Sequence, residues 1–166
     1  MCVTQEKLKS VLSYDETTGI FRWKGTRSGV SGVNNIAGCL HVTGYVHITV
    51  FGKEYKAHRL AWLYVYGNWP SLQIDHIDEN KSNNAISNLR EVTNGENCCR
   101  RGPQKNNTSG VKGVSGKPGK WRVRVGPPGE GRKHLGYYST LEEAEKVASE
   151  ARKIFHKEFC NNENRR

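Results

Sequence analysis

The stretch RRGPQKNNTSG at positions 100–110 is rich in Gly, Pro, Asn and Ser and carries no apolar periodicity. A segment of that kind has no face to bury and reads as a linker. It sets residues 1–100 apart from a second block at 111–160, with 161–166 left as a polar tail. A chain of 166 residues cut in this way is expected to fold as two small units, not around one large core.

The two parts are patterned differently. Upstream, Thr4 can open a short helix with Leu8, Val11 and Leu12 on one face. IFRW, GYVHITV and EYKAH then carry alternating β-branched and aromatic residues between Gly-rich turns, and read as strands in hairpins. HRLAWLYVYG (58–67) reads as a helix stopped by Gly67 and Pro70. Downstream, GKWRVRV alternates strictly, with Trp121, Val123 and Val125 on one face and Arg122 and Arg124 on the other. After a PPGEG turn, RKHLGYYST reads as another strand. Apolar residues at 141, 144, 147, 148, 151, 154 and 155 then mark an amphipathic helix, with acids in its first turn and bases near its end. The expected fold class is α+β throughout.

Charge narrows the function. Lys and Arg number 26 against 16 Asp and Glu, a net +10. An excess of that size points to a polyanion, either nucleic acid or an acidic membrane surface. Between Lys112 and Lys133 there are seven basic residues and one acid, Glu130. No apolar run approaches the roughly 20 residues a membrane-spanning helix needs. The opening MCVTQEKLKS has no apolar stretch, so a secretory signal is not expected. The five cysteines, at 2, 39, 98, 99 and 160, are odd in number and lack CxxC spacing. A disulfide framework is therefore not expected, and a reducing compartment is. Cys98 and Cys99 are adjacent and poorly placed to share one tetrahedral site, which weighs against structural zinc.

The segment LQIDHIDENKSNNAISNLREVTNGENCCR (72–100) carries the chemistry. Asp75-His76 follows a short apolar run, Asn88 opens the segment NLREVT, and Asn97 lies in what can be one or two helical turns. A strand ending in Asp-His, a polar loop, a second strand and a helix make a ββα finger. Phosphodiester hydrolysis needs a cation, a base for water and a scaffold holding both. Asp75 is a hard oxygen donor suited to Mg²⁺ or Mn²⁺, and the amide of Asn97 can complete the set. His76 titrates in the range useful to a general base. Taken singly, an Asp-His pair is commonly a turn, and NKSNN an ordinary loop. His58 stands at a helix start and reads as a packing or capping residue. Arg59, Arg90, Arg100 and Arg101 are equally consistent with phosphate contacts and with a solvated surface.

AHRLAW (57–62), IDHIDENKSNNAISNLR (74–90) and EN (96–97) together resemble the HNH endonucleases, in particular the His-Asn-Asn variants of phage and intron homing enzymes. YDETTGIFRWK and GYVHITVFGKEYKAHRLAW extend that likeness upstream, so it covers roughly residues 14–100. The resemblance implies that Asp75 and Asn97 bind one divalent cation, Mg²⁺ or Mn²⁺. It implies His76 as general base and Asn88 as the residue bracing the loop and orienting it. It further implies products with 5′-phosphate and 3′-hydroxyl ends, and a cytoplasmic, phage-encoded enzyme acting in a host cell. Residues 108–156, SGVKGVSGKPGKWRVRV…GRKHLGYYSTLEEAEKVASEARK, resemble the DNA-binding domain of the plant ethylene-response-factor (APETALA-type) transcription factors. That likeness implies a three-stranded antiparallel sheet packed on one helix and reading DNA through the sheet. By matched position the DNA-facing residues are Lys112, Arg122, Arg124, Arg132, His134 and Tyr137. Ser115 and His134 stand where the plant domains usually carry Arg and Trp, so their recognition sequence does not transfer.

The expectation is a metal-dependent DNA endonuclease whose partner is double-stranded DNA, with no membrane and no obligate protein partner. The competing readings are a non-catalytic double-stranded-DNA-binding protein derived from such an enzyme and, more weakly, an RNA-directed protein. The recognition sequence, the number of strands cut, the oligomeric state and the role of His58 are not readable from the sequence.

Overall fold

Thr4 stops the chain in an extended conformation, and its hydroxyl oxygen accepts from the Lys7 N–H, opening helix α1 (Gln5–Val11). The helix is shorter than the apolar spacing suggests. Leu12 is already extended and begins β1 (Leu12–Tyr14), though its side chain is fully buried all the same. The computed structural model describes residues 3–25, 35–100, 102–104 and 106–156. The tail at 161–166, residues 101 and 105 of the linker and residues 157–160 of the second block lie outside them.

β1 pairs antiparallel with β2 (Phe21–Trp23) across a turn held by the Asp15 carboxylate, which accepts from the N–H groups of Thr17 and Thr18. Hydrogen bonds from the Thr17 and Thr18 side chains and backbone hold that carboxyl down at about 2. β3 (Cys39–Leu40), β4 (Val46–Val50) and β5 (Lys53–Lys56) form a three-stranded antiparallel sheet in the order β3-β4-β5. The β4–β5 hairpin closes through Phe51 (φ 51°) and Gly52 (φ 75°), between the paired residues Val50 and Lys53. Two consecutive positive φ values in a two-residue loop make a type I′ turn, whose twist suits a hairpin. α2 (Ala57–Tyr66) follows at once and ends on Gly67, whose φ of 81° lets its N–H reach back to the Leu63 carbonyl. α2 buries Ala57, His58, Leu60, Ala61 and Leu63. Together with Leu8, Leu12, Phe21, Ile48 and Val50 the apolar members form the core of this unit. Each large side chain buried there is worth about 1.5–3 kcal/mol.

β6 (Gln73–His76) and β7 (Leu89–Val92) pair in a two-stranded sheet, joined by a polar loop and a 3₁₀ turn at Ile86–Asn88. The chain divides into two compact units, Met1–Glu91 and Val92–Arg166. Helix α3 (Asn94–Arg100) therefore counts with the second unit, whereas the sequence reading set the boundary after residue 100. The reason is a close approach within the second unit: a Cβ on Gly95 would fall 2.4 Å from the backbone nitrogen of Gly129.

In that second unit β8 (Val114–Lys117), β9 (Lys120–Val125) and β10 (Lys133–Tyr138) form an antiparallel sheet in the order β10-β9-β8, with α4 (Leu141–His156) packed on it. The core is Val111, Val114, Val123 and Val125 against Ala144, Ala148 and Ala151. Alanines on the helix let it lie close to the valine face. Two helix positions depart from the apolar stripe. Ile154 is exposed, while Arg152 is buried at 1% exposure and its guanidinium donates to the Lys112 carbonyl. Among the described residues the protein is thus a mixed α+β structure of small antiparallel sheets and four helices, none long and apolar enough to cross a membrane.

Candidate active site and candidate nucleic-acid face

β6 ends in Asp75 and His76, and the next twelve residues hold themselves in place almost entirely through amides. The Asn88 side chain donates to the Asp78 carboxylate (2.8 Å) and to the Asn83 carbonyl (2.9 Å), and its Oδ1 accepts from the Asp78 N–H (3.0 Å). Asn83 donates to the other Asp78 oxygen (2.7 Å), and Asn80 accepts from the Ser82 N–H and hydroxyl. The backbone closes the loop, with the Ile77 N–H donating to the Asn88 carbonyl. One buried residue, Asn88, therefore clamps both ends of the loop that follows His76.

His76 is 4% exposed, with Nε2 3.5 Å from the Oδ1 of Asn84. Asn84 is itself buried and its amide donates to the Ser82 carbonyl, which turns its oxygen toward the imidazole. Nε2 is then the protonated nitrogen and Nδ1 carries the lone pair; the tautomer is assigned from this network. Burial pushes the imidazole below its ordinary range, partly opposed by the Asn84 contact and by Asp78 and Asp75. The ring is neutral at neutral pH and able to accept a proton. His58 packs edge-on to it, with ring centroids 5.0 Å apart, and Tyr45 lies 5.2 Å from His58 and 5.9 Å from His76. Burial, and then the charge of His76, pushes His58 down to about 3, and its buried Nδ1 has no hydrogen-bond partner.

Asp75 is mostly buried and accepts from Arg90 Nε at 3.1 Å, so Arg90 serves this carboxylate instead of projecting to solvent. Arg59 lies over the Trp69 ring at 5.8 Å. Among the described residues no group of three or more His, Cys, Asp and Glu side chains is assembled to hold a metal. What unit one offers at the end of β6 is the carboxylate of Asp75, held by Arg90. That suits a hard divalent cation which keeps most of its water and takes further oxygens from a phosphate substrate. Asn97 lies on α3, in the other unit. The helix is opened by a capping box in which the Thr93 N–H donates to Glu96 (2.7 Å) and the Thr93 hydroxyl accepts from the Glu96 N–H (3.3 Å).

The second unit places its basic residues by register. Arg122 pairs with Ser115 on one side and Tyr137 on the other, and Arg124 pairs with His134. Cross-strand partners share a face, so these lie opposite the buried Val123 and Val125. His134 and Tyr137 are three apart in sequence, which in a regular strand puts them on opposite faces. A bulge between His134 and Gly136 inserts one residue and brings both to the outer face, their rings 4.9 Å apart. The Tyr138 hydroxyl donates to the Leu135 carbonyl (2.9 Å), holding the bulge closed. Arg122, Arg124 and Arg132 line one side of a groove of about 480 Å³, with Cys98, Asn106 and Lys112. Lys112 is half-buried, and its ammonium donates to the Cys99 carbonyl at 2.5 Å.

Sequence reading missed Asn84 and Tyr45. Asn84 was hidden in a run that reads as any Asn-rich turn, and Tyr45 in a strand whose neighbours across the fold no local pattern reveals.

A two-stranded finger ending in Asp-His and clamped by an asparagine defines a class of site, and comparison with known proteins gives its family. Residues 55–98 match the family model of the HNH endonucleases, a span that includes Asp75, His76, Asn88 and Asn97. The chain is also 38% identical over 87 residues to Protein 3.8 of Escherichia phage T7, covering 51% of this chain and 70% of that protein. This chain belongs to the HNH endonuclease family. Among solved structures it is similar to the HNH homing endonuclease I-HmuI, described for its DNA binding and cleavage, at 28% identity and a TM-score of 0.41. That match covers 53% of this chain and spans about half, 49%, of the other.

Proposed function

We propose that this protein is a metal-dependent endonuclease that hydrolyses phosphodiester bonds in double-stranded DNA. The observation that carries the reading is the neutral, buried His76, held by Asn84 and followed by the Asn88-clamped loop, next to the carboxylate of Asp75. His76 Nδ1 takes the proton of a water attacking phosphorus in line. Asn84 keeps that nitrogen basic by holding the other ring N–H. Asn88 keeps the loop from swinging across the attacked bond. Arg90 fixes the rotamer of Asp75, the first ligand of the cation. Asn97 is the second ligand by sequence resemblance. The cation, Mg²⁺ or Mn²⁺, supplies charge stabilisation for the phosphorane-like transition state and departing oxygen when bound. Products carry 5′-phosphate and 3′-hydroxyl ends.

The second unit, with its resemblance to the ethylene-response-factor domain, positions the enzyme on DNA through Lys112, Arg122, Arg124, Arg132, His134 and Tyr137. A narrow antiparallel sheet with an outward row of guanidiniums suits a major groove about 12 Å wide. Similarity to a phage protein supports the reading that the enzyme is phage-encoded, and its place of action is then the host cell.

The test is supercoiled plasmid incubated with the purified chain in Mg²⁺, Mn²⁺ or EDTA, with His76→Ala alongside. Metal-dependent nicking or linearisation, lost in the variant, supports the reading. Binding of a random-site library without cleavage of any member, unchanged by His76→Ala, overturns it in favour of a DNA-binding protein that does not cut.

A further inference from the structure

Two ammonium groups gather on one aromatic ring beside the candidate base. Lys56 Nζ lies 4.5 Å and Lys81 Nζ 5.1 Å from the centroid of Tyr45, the same ring that packs against His58 and His76. Lys56 comes from the end of β5 and Lys81 from the polar loop, so two separate elements each bring an ammonium to this ring. Among the described residues neither lysine has a carboxylate within ion-pair distance. Both side chains are exposed, yet neither is loosely placed. Lys81 also donates to the Thr43 carbonyl at 3.2 Å, and Gly44 leaves room for its stem, 3.5 Å from where a Cβ would stand. The loop carrying Lys81 is the one clamped by Asn88, Asp78 and Asn83. A ring face supplies only part of the attraction that an ammonium can draw. An anion completes it.

We infer that Tyr45, Lys56 and Lys81 form a cradle for a backbone phosphate of the strand being cut, setting the phosphodiester against His76. For the identity of the anion the inference rests on the nuclease reading. The ring of Tyr45 is the floor that fixes the two ammoniums, whose donors take the non-bridging oxygens; lysine binds phosphate as a point charge and reads no base.

The test uses the full chain with a fluorescent duplex in EDTA over a salt series, and plasmid nicking in Mg²⁺. Lys56→Met and Lys81→Met should each lower the slope of log K against log salt by about one. The double variant should raise KM about tenfold or more, since a lost slope of two costs about that factor over moderate salt. Lys56→Arg and Lys81→Arg should restore the slope, and a wild-type melting temperature in the Met variants shows that the fold is intact. The cradle is overturned if the double variant keeps the wild-type slope and KM while wild type nicks. Should wild type nick nothing, the slope still decides: its loss in the double variant keeps the cradle and removes the nuclease reading alone, and its retention removes the cradle.

Discussion

At the scale of single residues, the most exposed consequence of the hairpin geometry is Phe51. It sits at φ 51°, a conformation that costs a bulky side chain, and at 59% exposure its ring recovers little by burial. Asn is the residue a type I′ turn favours there, so Phe51→Asn should raise stability by about 0.5–1 kcal/mol, read as a higher denaturant midpoint. His58 works in the other direction. Its native pKa of about 3 lies far below the value near 6.5 of an unfolded chain. Between those values the unfolded state takes up a proton that the native state refuses, so stability falls as pH drops through that window. At about 1.4 kcal/mol per pKa unit, acidification from pH 7 to 4.5 should cost up to roughly 2.7 kcal/mol at this site. His58→Gln should flatten that limb of a stability profile measured by urea titration. Neither behaviour was legible in the sequence. His58 reads there as a helix-start residue that packs, and its burial agrees, but its place against His76 depends on α2 meeting β6, which no local spacing encodes.

At the scale of elements, the alternation in GKWRVRV was legible because a period of two leaves a strand with one solution, and β9 buries Val123 and Val125 as expected. RKHLGYYST was legible as a strand, and β10 lies within it, but the bulge was not, because nothing in the local pattern marks where the ladder slips. Gly136 at φ 126° carries the bulge, and a Cβ there would approach the Tyr138 hydroxyl to 3.2 Å. Gly136→Ala should therefore cost about 1–3 kcal/mol in thermal unfolding, from backbone strain of the kind tolerated only at special sites. Tyr138→Phe, which removes the hydrogen bond to the Leu135 carbonyl, should cost about 1 kcal/mol. Both should also weaken duplex binding, because His134 and Tyr137 share the outer face only while the bulge stands. The stripe on α4 was legible except at Ile154, which is exposed, and at Arg152, which is buried. A guanidinium taken up by a backbone carbonyl looks, in sequence, like any solvated base.

For the whole molecule, a net charge of +10 sets the expectation of polyanion binding but cannot say where. Register and loop geometry collect the basic residues at two places: Arg122, Arg124, Arg132 and Lys112 around one groove, Lys56 and Lys81 on Tyr45. If these six groups meet phosphates, log K against log salt should have a slope of about −5, and Arg122→Ala and Arg124→Ala should each reduce its size by about one. A slope near zero by fluorescence anisotropy would show that the basic groove does not face the duplex. The Asp-His motif and its family were readable from sequence because the chemistry needs those residue types in order. The supporting amides were not, since Asn is as common in idle turns as in clamps. The clamp has a further effect on how such a protein answers its surroundings. Its donors are neutral amides, and the one charged acceptor, the Asp78 carboxylate, is held below its ordinary range, so the clamp offers salt no ion pair to screen and nothing that titrates near neutrality. If the basic residues grip DNA, rising ionic strength should loosen that grip and leave the arrangement around His76 standing, so that arrival at the substrate would be tuned by the medium while readiness to react would not.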